Sequence, residues 1–270
     1  MLKAIDMMRK REGEILKAVK HLSGETNAFN EPEMMVIGGY ALRAFIPFSR
    51  FTRDCDFAVK KRNGWNIDFL KKILPDGFSI EHEEKRGSYG FMRCVKFLRH
   101  ERSRIKVSID FMEGEIRGRE EKDAVIIDRK MIQRREFVEL VIGGEKVRIP
   151  VPCYTDYFIM KVVSCRASDI RDVAAIILER GAPESLDERL KEVLPHPEVF
   201  DAKLNRIISE IKKKMFLDSW RGIFGTKKYD DEDRKKVLKL LEKGTVKITP
   251  PHYKWQRNSP ASSERNQRNS

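Results

Sequence analysis

The chain has 270 residues, 40% hydrophobic and 36% charged, with a formal net charge of +13 at pH 7. That balance supports a packed core under a charged surface and excludes a disordered chain. The basic excess fits a polyanionic partner, nucleic acid first, or an ion-pair-rich surface.

No apolar run approaches the roughly 18 residues of a membrane span. The charged opening MLKAIDMMRK is not a signal peptide. Four scattered cysteines without a Cys-x-x-Cys pair argue against a disulfide framework or a cysteine zinc site. The expectation is a cytoplasmic protein with no membrane partner.

Leu2, Ile5, Met8, Ile15, Leu16, Val19 and Leu22 fall near one helical face, so a surface helix opens the chain. After a polar loop at 23–33 comes a short apolar strand, Met34 to Ile37, ending at Gly38-Gly39. A helical segment is predicted over Tyr40 to Phe45, then a strand opening with Asp54-Cys55-Asp56 and running to Val59. A short helix over Ile67 to Leu74 ends at Pro75-Asp76-Gly77. Turn signals then separate three strands, Phe78 to Glu83, Phe91 to Leu98 and Arg104 to Met112.

Residues 113–136 are ambiguous, with a candidate strand at Val125 to Ile127. Phe137 to Ile142 and Glu145 to Pro150 flank Gly143-Gly144 as a hairpin. Beyond residue 150 the pattern is helical. A helix runs to about Arg166, a break falls at Ala167-Ser168, and a second helix spans Asp169 to Arg180 before Gly181. Further helices are expected over 184–194, 198–218 and 230–243.

The predicted organisation is thus a core over 1–150, a helical domain over 151–245, and a disordered polar tail over 246–270. Residues 201–270 hold 18 Lys and Arg against 9 Asp and Glu, most of the net charge, so a nucleic acid would meet the C-terminal third. Tyr253 and Trp255 in the tail are candidate base-stacking residues.

Asp54 and Asp56 stand two apart on a strand, so both carboxylates leave the same face. Such a pair repels unless a cation sits between, which is how a protein offers hard oxygen ligands to Mg²⁺. Gly38-Gly39 ends the preceding strand, where backbone N–H groups can approach a phosphate. Arg50, Thr52 and Arg53 crowd the acidic pair with cations and a hydroxyl.

In Arg104 to Asp110, Ile105, Val107 and Ile109 alternate with Lys106, Ser108 and Asp110, which puts Asp110 on the polar side of its strand. Three carboxylates from two neighbouring strands can hold two metal ions. Asp54, Asp56 and Asp110 are therefore the candidate metal ligands, with Asp110 also drawing the proton from an acceptor hydroxyl.

The string Gly38-Gly39-Tyr40-Ala41-Leu42 followed by Arg50-x-Thr52-x-Asp54-x-Asp56 resembles the first motif of the nucleotidyltransferase superfamily. It is closest to the AbiEii-type toxins of abortive-infection and toxin–antitoxin systems. A second match, Lys161 through Arg166 to Asp169 and Asp172, resembles that family's Lys…Arg…Asp-x-x-Asp motif.

The resemblance covers residues 34–180. It implies an α+β fold: a mixed-sheet nucleotidyltransferase core flanked by helices, followed by a helical C-terminal domain. It implies an NTP substrate with Mg²⁺ or Mn²⁺, Lys161 on phosphate, and Asp169 and Asp172 ordering the site. It also implies transfer of a nucleoside monophosphate to an acceptor hydroxyl, with RNA, tRNA above all, as acceptor and an antitoxin as partner. Read from the residues alone, Asp169 also suits the first turn of a helix capped by Ser168, and Lys161 a solvent edge.

The family carries Gly-Ser or Gly-Gly at this turn; here the second position is Gly39, so a phosphate-binding serine hydroxyl is missing and backbone donors remain. Two alternatives stay open: an inactive module of the same fold that binds RNA or protein, and nucleotidylation of a protein hydroxyl. The five histidines lack metal-site spacing, and no P-loop or Gly-x-Ser-x-Gly string occurs.

Overall fold

The structure is a computed structural model and describes residues 2–46, 50–101 and 103–243. Helix α1 (Leu2–Glu25) opens the chain and buries Ile15, Leu16, Val19 and Leu22. Strand β1 (Met34–Ile37) is wholly buried and passes into a four-residue helical turn, α2 (Gly38–Ala41), and a 3₁₀ turn over Leu42–Ala44. The helix expected over Tyr40 to Phe45 is thus two short turns. Strand β2 (Asp54–Val59) follows.

Helix α3 (Asn66–Lys72) has no cap of its own. Buried Glu113 accepts from the backbone N–H of Asn66 at 2.9 Å and of Ile67 at 3.0 Å, satisfying the orphan donors from the end of a strand 46 residues on.

Strands β3 (Ser79–Arg86), β4 (Tyr89–His100) and β5 (Ser103–Glu113) extend each predicted strand by a few residues. Together with β1 and β2 they form one sheet in the order β1-β2-β5-β4-β3. In it β2 and β5 run parallel, and β1/β2, β3/β4 and β4/β5 antiparallel. The sheet is mixed because the meander β3-β4-β5 returns to lie beside β2. One face packs on α1 and α3 through Val107, Ile109 and Phe111, and the other carries the carboxylates.

The ambiguous stretch 113–136 resolves into a small ribbon, β6 (Glu115–Arg117) with β7 (Ala124–Ile126), and helix α4 (Arg129–Gln133) capped by Asp128. The hairpin β8 (Glu136–Ile142) and β9 (Glu145–Val151) closes through Gly143 and Gly144, both at positive φ, as a two-residue turn of this twist requires.

The helices are α5 (Tyr154–Ser164), α6 (Ala167–Arg180), α7 (Leu186–Val193), α8 (Glu198–Lys212), α9 (Phe216–Phe224) and α10 (Asp231–Lys243). The single helix expected over 198–218 is two, because Lys213 adopts an extended conformation. One apolar core runs from α1 through the sheet into α10. Among the described residues no helix is long and apolar enough to cross a membrane. The polar tail, with Tyr253 and Trp255, lies outside the described residues.

Candidate active site

Strand register assembles the acidic face. In the parallel β2/β5 pair, Asp54 lies opposite Ser108 and Asp56 opposite Asp110. Directly opposed residues share a face, so Asp54, Asp56 and Asp110 gather on one side. Antiparallel pairing of β4 with β5 sets Arg93 opposite Asp110.

Each carboxylate has its own surroundings. Ser108 donates its hydroxyl to Asp54 Oδ1 at 2.5 Å. Arg93 grips Asp110 bidentately, Nε to Oδ1 at 2.9 Å and Nη2 to Oδ2 at 2.5 Å. That contact raises the arginine's pKa further above its usual value. Asp110 is only 3% exposed and lies beneath this arginine. Burial, then the charges of Asp110 and Asp54, push the Asp56 carboxyl up to about 7.

Among the described residues no three or more His, Cys, Asp and Glu side chains stand ready as a metal cluster. Arg93 occupies both oxygens that Asp110 would offer. The sequence could not show this competitor, since nothing in it fixes which β4 residue faces Asp110.

The glycine turn fits tightly against this floor. Gly38 has φ +65°, and a Cβ there would lie 2.0 Å from Asp56 Oδ2. Only glycine serves both the backbone conformation and the space. A Cβ on Gly39 would meet Thr52 Oγ1 at 2.7 Å. The Gly38 carbonyl accepts from the buried Tyr157 hydroxyl at 2.7 Å. Tyr157 stands one helical turn before Lys161 on α5, so both side chains leave the same face.

Lys161 is not at a solvent edge. It is 5% exposed and donates to Asp169 Oδ1 and to Asp172 Oδ2, each at 2.8 Å. Burial opposes its charge, but the two carboxylates outweigh burial and raise its pKa. In turn, burial works against the Asp169 anion while Lys161 and Ser164 outweigh it, holding its pKa low.

Asp172 also takes a bidentate grip from Arg50, at 2.8 and 3.0 Å. Burial is again outweighed, and the Arg50 pKa rises. Arg50, Asp172, Lys161 and Asp169 thus form one chain of charges from the segment before β2 to the start of α6.

Helix α6 begins at Ala167, inside the break expected at Ala167-Ser168 and ahead of the predicted start at Asp169, and Ser168 is not its cap. The backbone N–H of Arg166 donates to Asp169 Oδ2 at 3.1 Å, so Asp169 closes the helix start itself.

These elements enclose a cleft of about 480 Å³. Gly38, Gly39, Arg50, Thr52, Arg53, Asp54, Asp56, Asp110, Lys161 and Asp169 line it, while fully buried Asp172 does not. Residues that sequence reasoning passed over complete the walls: Tyr89, Phe91, Arg93, Arg117 and Tyr157. The rings of Tyr89 and Phe91 lie 6.5 Å apart and nearly parallel. Arg166 also lines the cleft.

The cleft therefore joins an acidic floor to a glycine turn and several cations. Such a site can take a polyphosphate with a divalent cation.

Comparison with known proteins bears on this arrangement. Residues 22–247 match the model of the family described as nucleotidyl transferase AbiEii toxin, type IV TA system. Two crystal structures from Helicobacter pylori are similar. One is of a candidate nucleotidyltransferase at 15% identity and TM-score 0.44, covering 86% of this chain and 92% of that one. The other is JHP933 at 14% identity and TM-score 0.42, covering 85% of this chain and 90% of that one.

No curated protein matches the chain. The family match spans the glycine turn, all three strand carboxylates and the Lys161 to Asp172 segment. This protein belongs to the AbiEii family of nucleotidyl transferase toxins.

Proposed function

We propose that the chain transfers a nucleoside monophosphate from an NTP to an acceptor hydroxyl on RNA, tRNA above all. The observation that carries this reading is the register that sets Asp56 opposite Asp110, with Asp54 beside them, under the Gly38-Gly39 turn.

Asp56 is held above its ordinary pKa by burial and by two neighbouring acids, which is the surrounding a cation relieves. Asp54 and Asp56 are therefore the residues to hold Mg²⁺ or Mn²⁺, and Asp110 joins them when Arg93 releases it. A divalent cation there supplies charge neutralisation for the triphosphate and polarisation of its α-phosphorus.

The chain's own residues do the rest. The backbone at Gly38-Gly39 and the Thr52 hydroxyl receive the phosphates, with Arg53 and Arg166 beside them. Lys161, Asp169, Asp172 and Arg50 act by holding the cleft walls together, and Lys161 reaches the cleft only at its edge. Arg93 turns from Asp110 to the incoming phosphates, which leaves Asp110 able to accept a proton.

The acceptor oxygen then bonds to the α-phosphorus as the bond from that phosphorus to the bridging oxygen breaks. Pyrophosphate carries away the electron pair, and the hydroxyl proton passes to Asp110.

The reading divides the chain near residue 150 into a catalytic core and a helical domain. It places the protein in the cytoplasm beside its NTP and RNA, with an antitoxin as partner. The test is incubation with each α-labelled NTP, Mg²⁺ and total tRNA. Label in RNA with the wild type, and none with Asp54→Ala or Asp110→Ala, is the expected result. Label on protein instead would move the acceptor hydroxyl to a polypeptide. No transfer and no stabilisation by Mg²⁺ and NTP would leave an inactive binding module.

A further inference from the structure

The catalytic face of the sheet does not end at Asp110. In the antiparallel β4/β5 pair, Arg93 faces Asp110, Val95 faces Ser108, Phe97 faces Lys106 and Arg99 faces Arg104. All of these share the face that carries the three carboxylates. Six residues separate Asp110 from Arg104, a distance of about 20 Å at the usual rise of a strand. The side chains of this outer half are open: Phe97 is 47% exposed, and Arg99, Arg104 and Lys106 are exposed, while Arg11 of α1 reaches only the Lys106 carbonyl, at 3.0 Å.

Its chemistry is specific. Arg104 lies over the Phe97 ring at 4.4 Å from guanidinium carbon to centroid. An exposed aromatic ring beside a guanidinium is a platform on which an unstacked base can lie. Arg99 and Arg104 oppose each other directly across the strands, a like-charge pair that costs stability unless an anion joins it. Among the described residues neither meets a carboxylate, whereas Lys106 is neutralised by Glu81 at 2.6 Å.

The helical C-terminal region differs. There Lys203, Lys212, Lys213, Lys228, Arg234 and Lys235 are paired with acids of the same protein, and the exposed Arg206, Lys214, Lys227, Lys236 and Lys239 stand on helices and turns without an exposed aromatic platform such as Phe97 beside them among the described residues.

We infer that the open face of β4 and β5 is the track for the acceptor strand. A single-stranded RNA end runs from Arg99 and Arg104, over Phe97, towards Arg93 and Asp110. Phosphodiesters meet the two arginines, one base stacks at Phe97, and the terminal hydroxyl arrives at the acidic floor. The inference rests on the reading that the acceptor is RNA. It moves the main contact from the basic C-terminal third to the sheet.

The test measures binding of a short fluorescent single-stranded RNA to the full chain, without NTP, across a salt series. Stabilisation by Mg²⁺ and NTP is followed in parallel. Phe97→Ala and Arg104→Ala are surface changes outside the catalytic cleft, and melting curves check their folding. Each is expected to weaken RNA binding about tenfold, and Arg104→Ala to reduce the salt slope by about one. The response to Mg²⁺ and NTP should stay at the wild-type level.

Wild-type RNA affinity in the double variant overturns the inference, and that is also the outcome if this face serves a protein partner. Absence of RNA binding by the wild type overturns it too. If the wild type binds RNA through Phe97 and Arg104 but shows no response to Mg²⁺ and NTP, the track stands and the nucleotidyl-transfer reading fails.

Discussion

Gly39 and Thr52 share one space. A Cβ added to Gly39 would sit 2.7 Å from Thr52 Oγ1 and 2.8 Å from Thr52 Cβ, closer than real contacts allow. The threonine hydroxyl therefore stands near where a serine at position 39 would place its own. That hydroxyl donates weakly, to the Asp54 carbonyl at 3.2 Å. The hydroxyl that a serine at position 39 would bring is thus matched by one from the other side of the turn.

Gly39→Ser should therefore damage the protein. Thr52 must move, and with it the start of β2, so a loss of about 1–3 kcal/mol from overpacking is expected. Because the Thr52 Cβ is itself part of the clash, Gly39→Ser combined with Thr52→Gly should recover most of that stability and hold NTP better than Thr52→Gly alone. Chemical denaturation of the three variants measures the coupling. Additive losses would show that the two side chains do not compete.

Asp56→Asn should stabilise the metal-free protein while abolishing transfer. The folded-state pKa of about 7 lies above the ordinary carboxylate value. The unfolded chain therefore loses this proton first, and wild-type stability falls as pH rises from about 4 to about 7. The full shift corresponds to about 4 kcal/mol, and screening at the open side of the cleft reduces it to about 2 kcal/mol. The gain from Asp56→Asn should be complete above neutral pH and vanish below pH about 4. Urea midpoints in chelator across that range check it.

Lys161→Met should be among the most destabilising single changes. It leaves Asp169 with only the Ser164 hydroxyl and the Arg166 N–H, and Asp172 held by Arg50 alone, both carboxylates being buried. Removing one partner of a buried pair costs about 3–5 kcal/mol. Because Asp169 is held below its ordinary pKa, this stabilisation is present above that ordinary value and lost as pH falls through the folded one. The gap between wild type and variant should therefore close in strong acid, as followed by circular dichroism.

Tyr157→Phe isolates the support of the glycine turn. The ring stays, stacked on Phe45 at 4.7 Å between centroids, but the Gly38 carbonyl loses its donor. A stability loss of about 1–2 kcal/mol is expected. Transfer should fall by more than that loss explains, because the turn that receives the phosphates is no longer fixed. Comparing kcat of the variant with its melting curve separates the two effects.

Much of this was legible in the chain itself. Alternation in Arg104 to Asp110 put Asp110 on the polar face, and the spacing of Asp54 and Asp56 put both on one side, because a strand repeats every two residues. The glycine pair and the Lys161 to Asp172 string marked the family. Short-range chemistry also fixed β8 and β9, where Gly143-Gly144 dictates the turn.

What stayed hidden depends on partners distant in sequence. Nothing local says that Arg93 meets Asp110, that Tyr157 holds the Gly38 carbonyl, or that Glu113 caps α3. Periodicity placed Lys161 on a helix but not in the interior, since burial of a cation is decided by which acids arrive from α6. Composition and local spacing set which residues carry charge and which face of its own element each one takes. Which charges meet is settled by the packed fold, because register and helix packing, not spacing, bring residues 17 to 122 positions apart within hydrogen-bonding distance.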